Sequence, residues 1–388
     1  MGSRSHSIND KYSIKEITNL NDFRDLMTIW DSLAERQGAY MPFLCFEWFK
    51  LWLDHFLKNN RLLILLLYKE NEIVTIAPFL ISEERFKGIN VRKIDLIGNA
   101  YSPIRYFLFS EFNNEEKMKN ISYIFEFFSE IYRNWDILDF YSIPEENDCF
   151  DILKMAIKQT GLKHLEYFCF GDCYLDNIEY SGDEYFTNLP KKIRKDVSYC
   201  QRLLQKMGNF EFKLINNGDL IHHHMDLYYE VYSKSWQQKE GIGPTFHRDL
   251  AKMAARNGWL RLGFLFLNNY PISSQFWISC NDTAFIMKTV YDQDYKKFSP
   301  GKILTAEMMK YVIDIDKVKT VDYLQGDESY KQDWMPGKRE RKGILFYNNN
   351  MKGNYLAVLN NRILPLFNKY KSLKKIKGII VNQSGRNP

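Results

Sequence analysis

"FIMKTVYDQDYKKFSPGKILTAEMMKYVID", residues 285–314, joins a strand-like run to a helix through two lysines and a Ser-Pro-Gly. Ser299 belongs to the residue types that cap helices, and Pro300 suits the first helical position. Ile303, Leu304, Met308, Tyr311 and Val312 then recur on one helical face. A helix start carries unpaired N–H groups and a partial positive charge, so it attracts anions. Lys296, Lys297 and Lys302 crowd the same place. The order strand, lysines, cap, helix reads as a phosphate-binding turn.

Working outward, the surroundings of this turn occur twice. "RLLILLLYKENEIVTIAPF" (61–79) reads as strand, polar turn, strand, and "WLRLGFLFLNNYPISSQF" (259–276) reads the same way with Asn268-Asn269 in the turn. More strand, a helix and a short strand follow each hairpin. The short strands are "DILDFYSIP" (136–144) and "KTVDYLQGD" (319–327), and the order repeats about 200 residues apart. The copies differ at the turn. "SEFNNEEKMK" precedes the first helix and is acidic, so only the second copy is expected to hold an anion. Between them, "DEYFTNLPKKIRKDVSYCQRLLQKMGNFEF" reads as a basic amphipathic helix running to Met207 and stopped at Gly208. "MGSRSHS" at the start reads as a disordered end.

The 388 residues suffice for two or three cores, and 45% apolar with 26% charged is globular composition. No apolar run approaches a membrane span, since "LLILLLY" is far too short. The six cysteines contain no CxxC pair, which points to free thiols in a reducing cytoplasm. His222, His223 and His224 point in different directions on a helix, so no metal is expected there. Basic clusters at Lys191–Lys195, Lys338–Lys342 and Lys371–Lys377 are either solvated faces or surfaces for coenzymes, acidic carrier proteins or acidic lipids; no nucleic-acid-binding motif surrounds them, and DNA is not expected as a partner.

Hairpin, long strand, anion-binding turn, helix and strand is the core order of the GNAT acyltransferase superfamily. "YDQDYKKFSPGKILTAEMM", "VDYLQGDESYKQDW" and "GWLRLGFLFLNNYPISSQFWI" resemble the CelD-type members, tandem GNAT proteins similar in architecture to the Fem aminoacyltransferases. The resemblance covers roughly residues 40–340. It implies an α/β fold of mixed sheets in two tandem GNAT-like domains: a degenerate one over 10–160, one with the acyl-donor site over 161–345, then a basic tail over 346–388. The co-substrate it implies is a coenzyme A thioester. Family members commonly have a glycine-rich turn, whereas this chain has only Gly301, which leaves the phosphopantetheine of an acyl-carrier protein as the alternative donor. No metal is implied.

Amide formation from a thioester needs a neutral amine, a stabilised oxyanion and a proton for the thiolate. Backbone N–H groups near Lys288–Tyr291 suit the oxyanion. Asp327, past the strand "VDYLQG", either takes the amine proton or caps the turn after Gly326. Tyr330 is the candidate acid or a packing residue. Lys296, Lys297, Ser299, Gly301, Lys302 and Lys331 are the donor-binding candidates, and Gln275, Trp236 and His247 the acceptor-binding ones. The expectation is a cytoplasmic N-acyltransferase acting on a small-molecule, glycan or peptide amine, with peripheral membrane contact through the basic tail as a further role. The rival readings are a Fem-like enzyme using aminoacyl-tRNA and a non-catalytic module of a polysaccharide or lipid assembly system.

Overall fold

The structure is a computed structural model describing residues 4–36, 38, 41–111, 113–236 and 244–363. Its strands are β1 Ser5–Ser7, β2 Tyr12–Ile17, β3 Arg61–Lys69, β4 Glu72–Phe86, β5 Ile89–Leu96, β6 Leu108–Phe109 and β7 Ile137–Ile143. They continue with β8 Lys163–Leu175, β9 Phe210–Ile215, β10 Leu260–Leu267, β11 Tyr270–Cys280, β12 Thr283–Tyr291, β13 Thr320–Gln325 and β14 Gly337–Tyr347. One sheet contains them all, in the order β1-β2-β3-β4-β5-β7-β14-β8-β13-β12-β11-β10-β9, with β6 on β4.

The expected repeat is present. Strands β2 to β5 run antiparallel, the helix Asn114–Glu126 follows, and β7 returns parallel to β5. Strands β9 to β12 do the same, followed by the helix Pro300–Asp314 and a parallel β13. Asn268 and Asn269 turn the β10–β11 hairpin with φ of 51° and 66°, the left-handed pair that such two-residue turns demand. Residues 5–7 depart from expectation: Ser5–Ser7 pair with Ser13–Lys15 as an edge strand. The basic helix starts at Lys191, because Pro190 separates it from the helix Gly182–Asn188, and it ends at Met207.

The two halves do not simply abut. β14 lies between β7 and β8: its C-terminal part pairs with β7, and its full length pairs with β8. β8 in turn pairs with β13 through its own C-terminal end. Helices cover both faces of the sheet, so β3 buries every residue from Leu62 to Leu67. On one face a single apolar core runs across both halves, from Trp30 and Phe49 to Tyr228, Phe246 and Phe285. No described helix is long and apolar enough to cross a membrane. The cluster Lys371–Lys377 lies outside the described residues.

Candidate active site

The site begins where two parallel strands part. β12 and β13 pair only over Thr283–Phe285 and Thr320–Asp322. Just beyond, Met287 is an extra residue in β12, because Phe276 opposes Lys288 while Trp277 opposes Ile286. β13 bends away at the buried Leu324, whose φ is 56°. Its N–H donates to Asp322 Oδ1 at 2.6 Å. Asp322 is bound by Arg339, which also reaches Asp172 and Glu146, each at 2.7 Å. Arg341 joins Glu146 and Asp172. This ion network ties β8, β13, β14 and the turn after β7 together, and loss of any member would strand a buried charge. It fixes the direction in which β13 leaves β12.

Two cavities meet at the parting. One, of about 440 Å³, lies along the start of the helix Pro300–Asp314 and is lined by Ile193, Gln275, Lys296, Ser299, Gly301 and Lys302 among others. The second, of about 580 Å³, runs between Ile286–Thr289 and Tyr323–Gly326 and is walled on its far side by Ala100, Tyr101 and Pro103 of the first half. Trp236, Thr289, Tyr323 and Tyr330 line both. A group threaded through the first cavity therefore meets a group lying in the second at these four residues.

In the first cavity Gly301 exposes backbone at the helix start, Pro300 has no N–H to satisfy, and Ser299 adopts a left-handed φ of 47°. The Ser299 hydroxyl caps no N–H of the helix, so its expected capping role is carried by its carbonyl, which accepts from Lys302 and Ile303. Lys296 lines the cavity, whereas Lys297 lies beside it over the Phe298 ring. Lys302 pairs with Asp196 at 2.9 Å. Gln275 sits on this side, not among the second cavity's residues. Its amide nitrogen donates to the Gly301 carbonyl (3.1 Å) and the Thr305 hydroxyl (2.8 Å), and its oxygen accepts from Trp277. It moors the helix start to β11.

The second cavity holds Lys288, Glu328, Tyr330 and Lys331. Lys331, expected beside the donor, is buried here and donates to the carbonyls of Gln325 (2.6 Å) and Gly326 (3.2 Å), with Glu328 at 3.0 Å. Burial first, and the Glu328 carboxylate second, push the Tyr330 phenol up to about 12, so it keeps its proton at neutral pH. Asp327 lines neither cavity; its carboxyl group lies against Gly171. His247 is buried behind Tyr101, ring to ring at 5.2 Å, with Nδ1 3.0 Å from the Tyr229 hydroxyl. Burial, then the Lys288 charge, lower its pKa to about 3. Among the described residues no group of three or more His, Cys, Asp or Glu could hold a metal ion.

Residues 191–332 match the family model described as "Acetyltransferase (GNAT) domain". The C-terminal half carries a GNAT acyltransferase domain. The parted strands and the helix start lie inside the matched GNAT segment. Solved structures extend the likeness over most of the chain. FemX is 12% identical, covering 80% of this chain and 97% of its own, with a TM-score of 0.53. L-PGS from Bacillus licheniformis is 10% identical, covering 81% and 96%, with a TM-score of 0.50. At these identities the likeness establishes the fold alone. No curated protein matches the chain in sequence.

Sequence reasoning missed Tyr323, Phe170 and the side chain of Thr289, and above all Ala100, Tyr101 and Pro103. The last group comes from the other repeat and carries no local signal. Tyr323 had one: a phenol inside a strand needs a polar neighbour.

Proposed function

We propose that this protein transfers an acyl group from a phosphopantetheine thioester, on coenzyme A or on an acyl-carrier protein, to an amine. The supporting observation is the meeting of two cavities at the parted strands, one ending in a lysine-rich helix start and the other walled by both halves. Residues 161–345 supply the donor site and residues 10–160 the acceptor platform. The donor phosphate fits the Gly301 backbone with Lys296 and Lys302, and the thioester passes toward Thr289.

The amine nitrogen attacks the thioester carbon, and the carbonyl oxygen takes the negative charge toward backbone N–H groups near the β12 bulge. Glu328 is better placed than Asp327 to take the amine proton, because it lines the acceptor cavity. The C–S bond then breaks and Tyr330 protonates the thiolate. No covalent enzyme intermediate is needed. The test is a titration of acyl-CoA at low salt into Lys296→Glu/Lys297→Glu. About a tenfold loss of affinity is expected, since the reversed charges oppose both ligand and helix dipole. Unchanged affinity would remove this loop from the site.

A further inference from the structure

We infer that the outer face of the helix Lys191–Met207 is the docking surface for an acidic carrier protein that delivers the acyl donor. The inference rests on the donor site proposed above. Ile193, Val197, Cys200 and Leu204 face inward and are buried. At 100° per residue, Lys191, Lys195, Tyr199, Arg202 and Lys206 fall on the opposite side within one narrow stripe. All five are exposed, and none of the four cations forms an ion pair with a described residue. The one carboxylate of the helix, Asp196, is turned toward Lys302 and engaged by it.

The N-terminal end of this helix borders the donor cavity, which Ile193 lines from the inner face, so the stripe begins one helix width from it. It runs about 22 Å away from it, at 1.5 Å per residue. A free coenzyme could touch only its beginning. A protein carrying its thioester on a flexible arm would cover the whole stripe while the arm enters the cavity. One aromatic side chain lies within it: Tyr199 is 57% exposed. Four cations around an exposed aromatic ring suit the acidic face of a protein helix better than a continuous phosphate backbone.

The experiment uses the full chain and Lys191→Glu/Lys195→Glu/Arg202→Glu, whose circular dichroism is compared first with wild type. Binding of a fatty-acid-type apo acyl-carrier protein, without its arm, is followed by fluorescence anisotropy at low salt. Wild type is expected to bind, and the variant at least about tenfold more weakly. Activity is then followed with two donors, acyl-pantetheine and the acylated carrier. The variant is expected to lose about tenfold in kcat/KM with the carrier and to stay within about twofold with acyl-pantetheine. Equal carrier binding by both proteins, or preference of the stripe for transfer RNA over the carrier, overturns the inference. Turnover of acyl-pantetheine with no advantage for the carrier overturns the docking alone. Absence of turnover with either donor, despite charge-dependent carrier binding, overturns the acyltransfer reading and leaves the surface standing.

Discussion

Between β5 and β7 the chain fills the gap that it leaves open between β12 and β13. Both pairs are parallel over three residues only, Lys93–Asp95 with Ile137–Asp139 and Thr283–Phe285 with Thr320–Asp322. Both returning strands then bend at a non-glycine residue with positive φ, Ser142 at 60° and Leu324 at 56°. In the first half, residues 101–109 fold back into the opening and are buried throughout. Arg105 donates its N–H to the Ser142 carbonyl, stacks on Tyr141 at 4.7 Å, and gives its Nε–H to the Ser102 carbonyl. The Ser142 hydroxyl donates to the Pro103 carbonyl. Gly98 must be glycine, since its φ is 155° and a Cβ there would lie 2.5 Å from Arg105 Nε. A duplicated architecture can thus keep its bend and change only what occupies it. The outer side of the same plug becomes the far wall of the open cleft.

The most forceful way to break this comparison is to empty the filled gap. Arg105→Ala removes a buried cation above Tyr141 and near Asp95, and is expected to cost about 3 kcal/mol or more in chemical denaturation. Donor affinity in the surviving fold should change little. A neutral result would mean that the plug is not structural.

The converse change fills the open gap. Thr289→Trp places an indole where the two cavities meet and is expected to lower kcat/KM about a hundredfold with the melting temperature nearly unchanged. Wild-type turnover would show that the reacting groups meet elsewhere. Of the two adjacent carboxylates, Glu328→Gln is expected to cost about thirtyfold in kcat, and Asp327→Asn little, in parallel steady-state assays. The opposite ranking would return the proton to Asp327.

His247, packed on the plug's Tyr101, gives a pH prediction. Its folded pKa of about 3 lies below the ordinary 6.5 of an unfolded histidine. The unfolded chain therefore binds the extra proton between those values, and stability falls as pH drops below 6.5. Between pH 7 and pH 5 wild type should lose about 2 kcal/mol more than His247→Gln. Parallel curves would place the acid-sensitive group elsewhere. The smallest effect is the tenfold donor loss on reversing Lys296 and Lys297, for which the acidic turn before Asn114–Glu126 already serves as a natural counterpart. There Asn113 caps the helix and Glu115 and Glu116 occupy its first turn.

What the sequence made legible was whatever depends on near neighbours. Hairpins, the Pro300 helix start and the repeat follow from alternation, turn residues and caps. The lining roles of Lys296, Ser299, Gly301 and Lys302 followed because they sit within one turn of each other. Gln275 was expected at the acceptor and lines the other cavity, because a polar residue in a strand does not reveal which cavity its face borders. The expectation fell on Asp327 rather than Glu328, because only the turn after Gly326, with its φ of 104°, decides which of the two faces the cleft. The plug was hidden because it is made by packing between halves.

The placement of β14 also governs how the protein comes into being. β7 has its inner neighbour only when Tyr347 reaches Ile137, so during synthesis the first half waits, one edge unpaired, for nearly the whole described chain to emerge. Until then both β7 and β8 offer open hydrogen-bonding edges to other nascent chains. A transcript truncated before Gly337 would yield not a smaller enzyme but two sticky half-sheets.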